Sequence, residues 1–180
     1  MMPRQLEALE ALGMIDDVID RMLIMEAEVQ DDTAVLNVEW TDITLEVILD
    51  SGCTDHVMDV EREAPGYDIV DSPGSRQGRG FTVGNGERVD NEGQSALVLE
   101  SSTRPGETQQ FVSTFQAARI TKPLMSVAKI CSNGFRCIFD EKQAKIVDTD
   151  DNVACIFEKR GGLYVSSMKL KAPPPFTGPA

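Results

Sequence analysis

An apolar run, Val47-Ile48-Leu49, leads straight into Asp50-Ser51-Gly52 and on through Cys53-Thr54-Asp55-His56. A strand that ends on Asp-Ser-Gly holds one carboxylate at the mouth of a tight turn, where its oxygens meet a water molecule instead of being lost in bulk solvent. Asp50 is therefore the candidate for general acid–base chemistry on water. The triplet alone does not define a function, because small and polar residues after a strand also make an ordinary turn.

The residues for rival chemistries are sparse. His56 is the single histidine; without a second His or a Cys-x-x-Cys pair, its expected role is a structural hydrogen bond and not that of a metal ligand or base. Four cysteines, at positions 53, 131, 137 and 155, compose no usual zinc set. No metal and no cofactor is expected, and the thiols read as reduced and mostly buried in an intracellular, cytoplasmic protein. Cys53 reads as a small packing residue. Gly74-Ser75-Arg76-Gln77-Gly78 lacks the Gly-x-Ser-x-Gly spacing of a nucleophile elbow. Gly84-Asn85-Gly86 is too short for a nucleotide fingerprint, and no helical run follows it.

The 180 residues, 41% hydrophobic and 26% charged, suit a soluble globular domain with an appendage. A net charge of −13 opposes binding to a phosphate backbone, so no nucleic-acid partner is expected. No apolar run approaches the roughly 20 residues of a membrane span. Asp16, Asp17 and Asp20 interrupt the N-terminal apolar stretch, which therefore lacks the form of a signal peptide.

The elements that must position Asp50 follow from periodicity. Over residues 3–29, Leu9, Leu12, Ile15, Ile19, Met22 and Leu23 recur at helical steps, giving an amphipathic helix that packs on the domain, frays as a segment cut from a longer polyprotein, or serves as a dimer contact. From 33 to 50 the period is two: Ala34, Leu36, Val38 and Trp40, a break at Thr41-Asp42, then Ile43, Leu45, Val47 and Leu49, a second strand delivering Asp50. Residues 61–80 read as a loop. Phe81-Thr82-Val83 and Arg88-Val89 flank Gly84-Asn85-Gly86-Glu87, whose Asn-Gly predicts a type I′ hairpin. Strands are expected over 96–100 and 111–115, with a polar loop over 101–110. A helix is expected over 124–132, stopped by Asn133-Gly134. Four closing strands follow, around 135–140, 143–148, 152–158 and 163–168. The domains are thus a helical segment at 1–32, a β domain at 33–170 and an extended Pro-rich tail at 171–180.

The wording around Asp50, with Cys, Thr and His after the glycine, resembles the retropepsin-like aspartic protease of copia-type retrotransposons. That family's Pro, Leu-Leu-Ser-Val and Gly element is similar to Pro123-Leu124-Met125-Ser126-Val127 with Gly134. Its closing strands are similar to Ile138-Phe139-Asp140 and Gly162-Leu163-Tyr164-Val165. The resemblance covers most of residues 33–170, in the family's order.

It implies a mostly β fold, a retropepsin-like acid-protease barrel with one short helix in addition to the N-terminal one. It also implies an aspartic-type endopeptidase acting on a peptide or polyprotein substrate. A single Asp-Ser-Gly supplies one carboxylate, whereas the reaction uses two that share a proton, so the resemblance implies a homodimer with Asp50 from each chain on a two-fold axis. Ser51 would cross-link the two active-site loops, Gly52 would permit their close approach, and Val83, Gly84, Asn85 and Gly86 would form the flap over the substrate. Retroviral relatives carry an apolar, apolar, Gly element behind the active site, where this chain has Pro123-Leu124-Met125-Ser126, in agreement with the copia pattern. The alternative is a decayed or domesticated copy that keeps the barrel as a protein-binding module, in keeping with repulsion between two chains of −13.

Overall fold

The computed structural model describes residues 43–173. The helix expected over 3–29, the strand expected over 34–40 and the end of the Pro-rich tail lie outside the described residues. The protein is mostly β, with eleven strands and three short helices among those residues.

β1 (Thr44–Asp50) follows the alternation of its sequence: Leu45, Val47 and Leu49 are buried, and the residues between them are partly exposed. It pairs on one side with β11 (Leu163–Leu170), antiparallel from Thr44↔Lys169 to Ile48↔Val165. On the other it pairs with β7 (Leu124–Ser126), parallel from Ile48↔Leu124 to Asp50↔Ser126. From β7 the pairings run through β2 (Val57–Met58), β6 (Glu107–Ala117) and β5 (Gly93–Arg104) to β11, and so return to β1. Inside this ring lie Leu45, Val47, Leu97, Leu99, Phe115, Met125 and Met168, all essentially inaccessible. Burying a side chain of this size contributes about 1.5–3 kcal/mol relative to leaving it exposed. β10 (Val153–Arg160), β9 (Gln143–Val147) and β8 (Arg136–Phe139) continue the sheet outward from β11 and end at β8, where Ile138 and Phe139 are exposed. No helix among the described residues is long and apolar enough to cross a membrane.

Several expectations need correction. The polar stretch 101–110 is not a loop: β5 and β6 run on as one long hairpin to a turn at Pro105-Gly106, where Gly106 adopts φ 78. It is polar because the outer end of the hairpin stands mostly in solvent. The expected loop at 61–80 contains no long element, but short helices sit in and beside it, so the described residues hold three helices where one was expected. α1 (Val60–Glu63) starts on Asp59, whose side chain accepts the Arg62 N–H. α2 (Pro73–Arg76) starts on a reciprocal Ser72/Ser75 capping box with proline in its first turn. The helix expected over 124–132 begins as strand β7, because Leu124 and Met125 fill a slot between β1 and β2. Only Val127–Ser132 is helical (α3), capped at its start by the Ser126 hydroxyl and ended by Asn133 and by Gly134 at φ 90. Lys171, assigned to the tail, is still tied to the sheet: its N–H donates to the Val98 carbonyl at 2.9 Å and its carbonyl accepts the Tyr67 hydroxyl at 2.6 Å.

Candidate active site

Asp50 is the last residue of a strand whose inner face is anchored in the core, and its own side chain is half-buried at the mouth of the turn. The Gly52 N–H donates to Asp50 Oδ1 at 2.7 Å, which orients the carboxylate. A Cβ on residue 52 would stand 3.3 Å from that same oxygen, so the closeness of the turn is a reason for glycine there. Ser51 and Gly52 are exposed.

Beyond Gly52 the chain folds back against the start of α3. The Ser126 hydroxyl donates to the Cys53 carbonyl at 2.5 Å and accepts the Lys129 N–H at 3.1 Å. The Ser126 N–H donates to His56 Nδ1 at 2.9 Å. A ring nitrogen that accepts a backbone N–H carries no proton, so the imidazole is neutral with its hydrogen on Nε2. His56 is buried, with its ring 5.7 Å from that of Phe115. Asp55 Oδ1 accepts the His56 N–H at 2.8 Å and the Lys129 ammonium at 2.6 Å. His56 thus has the structural role expected of it, and Asp55, five residues after Asp50, is occupied by Lys129 and the backbone.

Burial pushes the Cys53 thiol up, and the nearby Asp50 and Asp55 carboxylates add to this against the opposing hydrogen bond to the Asp55 carbonyl. That bond, 2.8 Å long with sulfur as donor, belongs to a thiol and not to a nucleophilic thiolate. The four cysteines are free, but Cys131 is exposed, so "mostly buried" holds fully only for Cys155. Among the described residues no group of His, Cys, Asp and Glu could hold a metal ion.

The hairpin of β3 (Gly80–Thr82) and β4 (Arg88–Asp90) forms where expected, with Phe81 opposite Val89. Its turn is not type I′. Positive φ falls on Gly86 (φ 84) and not on Asn85, and the Val83 N–H donates to the Glu87 carbonyl, making a three-residue connection of Gly84, Asn85 and Gly86. The Asn85 side chain accepts the Glu87 N–H at 2.9 Å, so Asn85 serves the turn through its amide. Gly84, Asn85 and Gly86 are exposed, and Val83 is half-buried. Phe81, Val83 and Val89 join Cys53, Val57, Ala118, Ile120 and Leu124 in a second apolar cluster. The hairpin therefore rests on the same patch as the residue that follows Gly52. Ser126, Lys129 and Asp55 make the corner behind the turn; sequence placed Ser126 and Asp55 in motifs but gave none of the three a bonding role, and the signal that bears on them is Ser126 as an N-cap three residues before Lys129.

No family model, no curated protein and no solved structure matches this chain.

Proposed function

We propose that the chain is a homodimeric aspartic endopeptidase with a retropepsin-like barrel, acting on peptide or polyprotein substrates in the manner of a copia-type retrotransposon protease. The observation that carries this reading is the half-buried Asp50, oriented by the Gly52 N–H at the end of a core strand, with a hairpin packed beside the same turn. The ring of strand pairings that returns to β1 agrees with a barrel. In the dimer the exposed Ser51 and Gly52 of two chains meet at the two-fold axis. One Asp50 then takes a proton from water as the water oxygen attacks the scissile carbonyl carbon, and the second chain's Asp50 donates its proton to the carbonyl oxygen. Collapse of the resulting tetrahedral species breaks the C–N bond: the first Asp50 gives the proton it took from water to the leaving amine nitrogen, and the second takes a proton back from the hydroxyl as the new carboxyl group forms.

The test is cleavage of a peptide mixture at mildly acidic pH. Wild type cleaves, and Asp50→Asn loses at least about a thousandfold in kcat; equal cleavage by both would end the proposal. Adding an equal amount of Asp50→Asn chain to wild type lowers the wild-type activity to about half when chains pair at random, whereas an enzyme that works as a monomer is unaffected.

The −13 charge favours a second reading, a protein-binding module that does not pair, because two such chains repel near neutral pH. Sedimentation separates the two. The protease forms dimers that strengthen with added salt and with acidification; a chain monomeric throughout is the module.

A further inference from the structure

We infer that Ser126 and His56 are positioning residues for Asp50, clamping the turn that carries the carboxylate onto the β7–α3 corner. The inference deepens the protease reading and rests on it for its catalytic consequence. Strand pairing fixes Asp50 itself, opposite Ser126 in β7, but the residues after it leave the sheet and need other anchors. Those anchors converge. The Cys53 carbonyl, the His56 imidazole and the Asp55 carboxylate all end on the first turn of α3, through the Ser126 hydroxyl, the Ser126 N–H and the Lys129 ammonium. Ser126 is 0% exposed and His56 1%, so a broken bond there is not simply replaced by water. The Lys129–Asp55 pair is partly exposed and contributes less.

The clamp reaches the reacting group through a short chain of contacts. Holding the Cys53 carbonyl fixes the Cys53–Thr54 peptide, two peptide units beyond the Gly52 N–H that orients Asp50 Oδ1 at 2.7 Å. At this corner the Ser126 hydroxyl both donates to the turn and caps α3. One side chain therefore couples the helix start to the carboxylate.

The experiment uses the full chain and four variants: Ser126→Ala and Ser126→Thr, and His56→Leu and His56→Asn. The Thr variant keeps the hydroxyl, and the Asn variant offers an amide oxygen as acceptor in place of Nδ1. The readouts are kcat and KM on a cleaved peptide, the urea midpoint, and NMR hydrogen exchange at the Gly52 amide. Ser126→Ala and His56→Leu are expected to lower kcat by about tenfold to a hundredfold with KM changed less than about twofold, the size of effect that a small misplacement of a reacting group produces. Ser126→Thr or His56→Asn is expected to restore most of the loss.

A merely structural role would lower the urea midpoint and leave the kcat of the folded protein unchanged, which overturns the inference. If Ser126→Ala does not fold, the two His56 variants make the same comparison. If wild type cleaves nothing, the protease reading fails by itself and the clamp is judged by exchange. Gly52 exchange accelerated about tenfold or more in the folded Ala or Leu variant supports the clamp, and unchanged exchange overturns it.

Discussion

The two segments that flank the candidate site are held in opposite ways. The corner formed by the Asp50 turn and the start of α3 is stitched by buried polar side chains: Ser126 and His56 are inaccessible, and their bonds span 70 or more positions of sequence. The hairpin of β3 and β4 is a two-stranded ribbon outside the main sheet, joined to it at its base and resting on apolar side chains. A two-stranded ribbon is marginal by itself, and the space around Gly84 and Gly86 is open. The difference fits the proposed division of labour, in which Asp50 is fixed and the hairpin is free to move. Packing and long-range hydrogen bonds make the first; thin attachment makes the second.

The comparison breaks most visibly if the two regions respond alike to truncation. Phe115→Ala, beneath His56 and fully buried, is expected to cost about 3–5 kcal/mol in urea unfolding. Val83→Ala in the hairpin should cost under about 1 kcal/mol and act mainly on KM for a cleaved peptide. Equal destabilisation by both would mean that the hairpin is part of the cooperative core.

A glycine pair sharpens the contrast between the base of the hairpin and its tip. A Cβ on Gly93, where the chain enters β5, would lie 2.3 Å from the Val70 carbonyl oxygen at φ 131, so Gly93→Ala should cost about 2 kcal/mol or more. Gly86→Ala at the tip meets no neighbour and carries only the cost of φ 84, about 1 kcal/mol. Thermal unfolding of the two variants reads the order directly.

Thiol alkylation at mildly alkaline pH maps the same divide without mutation. Cys131 on the exposed end of α3 reacts first and Cys53 at the corner more slowly. Cys155, inaccessible and with its thiol pushed up to about 11 by burial, reacts only on unfolding. Mass spectrometry of timed samples checks the sequence of labelling.

The smallest effect is expected at Asp140, in the turn between β8 and β9. Its carboxylate accepts the Gln143 and Lys142 N–H groups, which holds it below the usual carboxylate range. Its folded form is therefore stabilised when ionised. That contribution is present above the ordinary carboxylate pKa of about 4 and fades as pH falls through the lowered value. Asp140→Ala should be slightly less stable than wild type at neutral pH, and the gap should close in acid.

Much of this architecture is legible in the sequence because it is written in period two. Leu45, Val47 and Leu49 alternate cleanly into Asp50, and the closing strands are short apolar runs separated by Asp, Asn and Gly turns. Gly134 marks the end of α3 for a stated backbone reason. What escaped is what local pattern does not encode. Leu124 and Val127 have helical spacing, and only the slot beside β1 makes residues 124–126 a strand. A four-residue helix such as α2 is too short to show a period, although the Ser72–Ser75 spacing and Pro73 mark its start. Asn85-Gly86 carries the sequence mark of a type I′ turn, yet the connection takes in Gly84 as well, with positive φ on Gly86 and not on Asn85. The clamp joins positions 53, 56 and 126, and no feature of sequence short of the fold itself announces that pairing.

The central claim is that two Asp50 carboxylates act as a pair, and the distance between them in a two-chain assembly tests it most directly. In a crystal structure of the dimer, the account predicts carboxylate oxygens within about 3 Å of each other across the two-fold axis, beneath the hairpins of residues 80–90. An assembly that holds the two Asp50 side chains far apart, or a chain that stays monomeric with Asp50 facing open solvent, would contradict it.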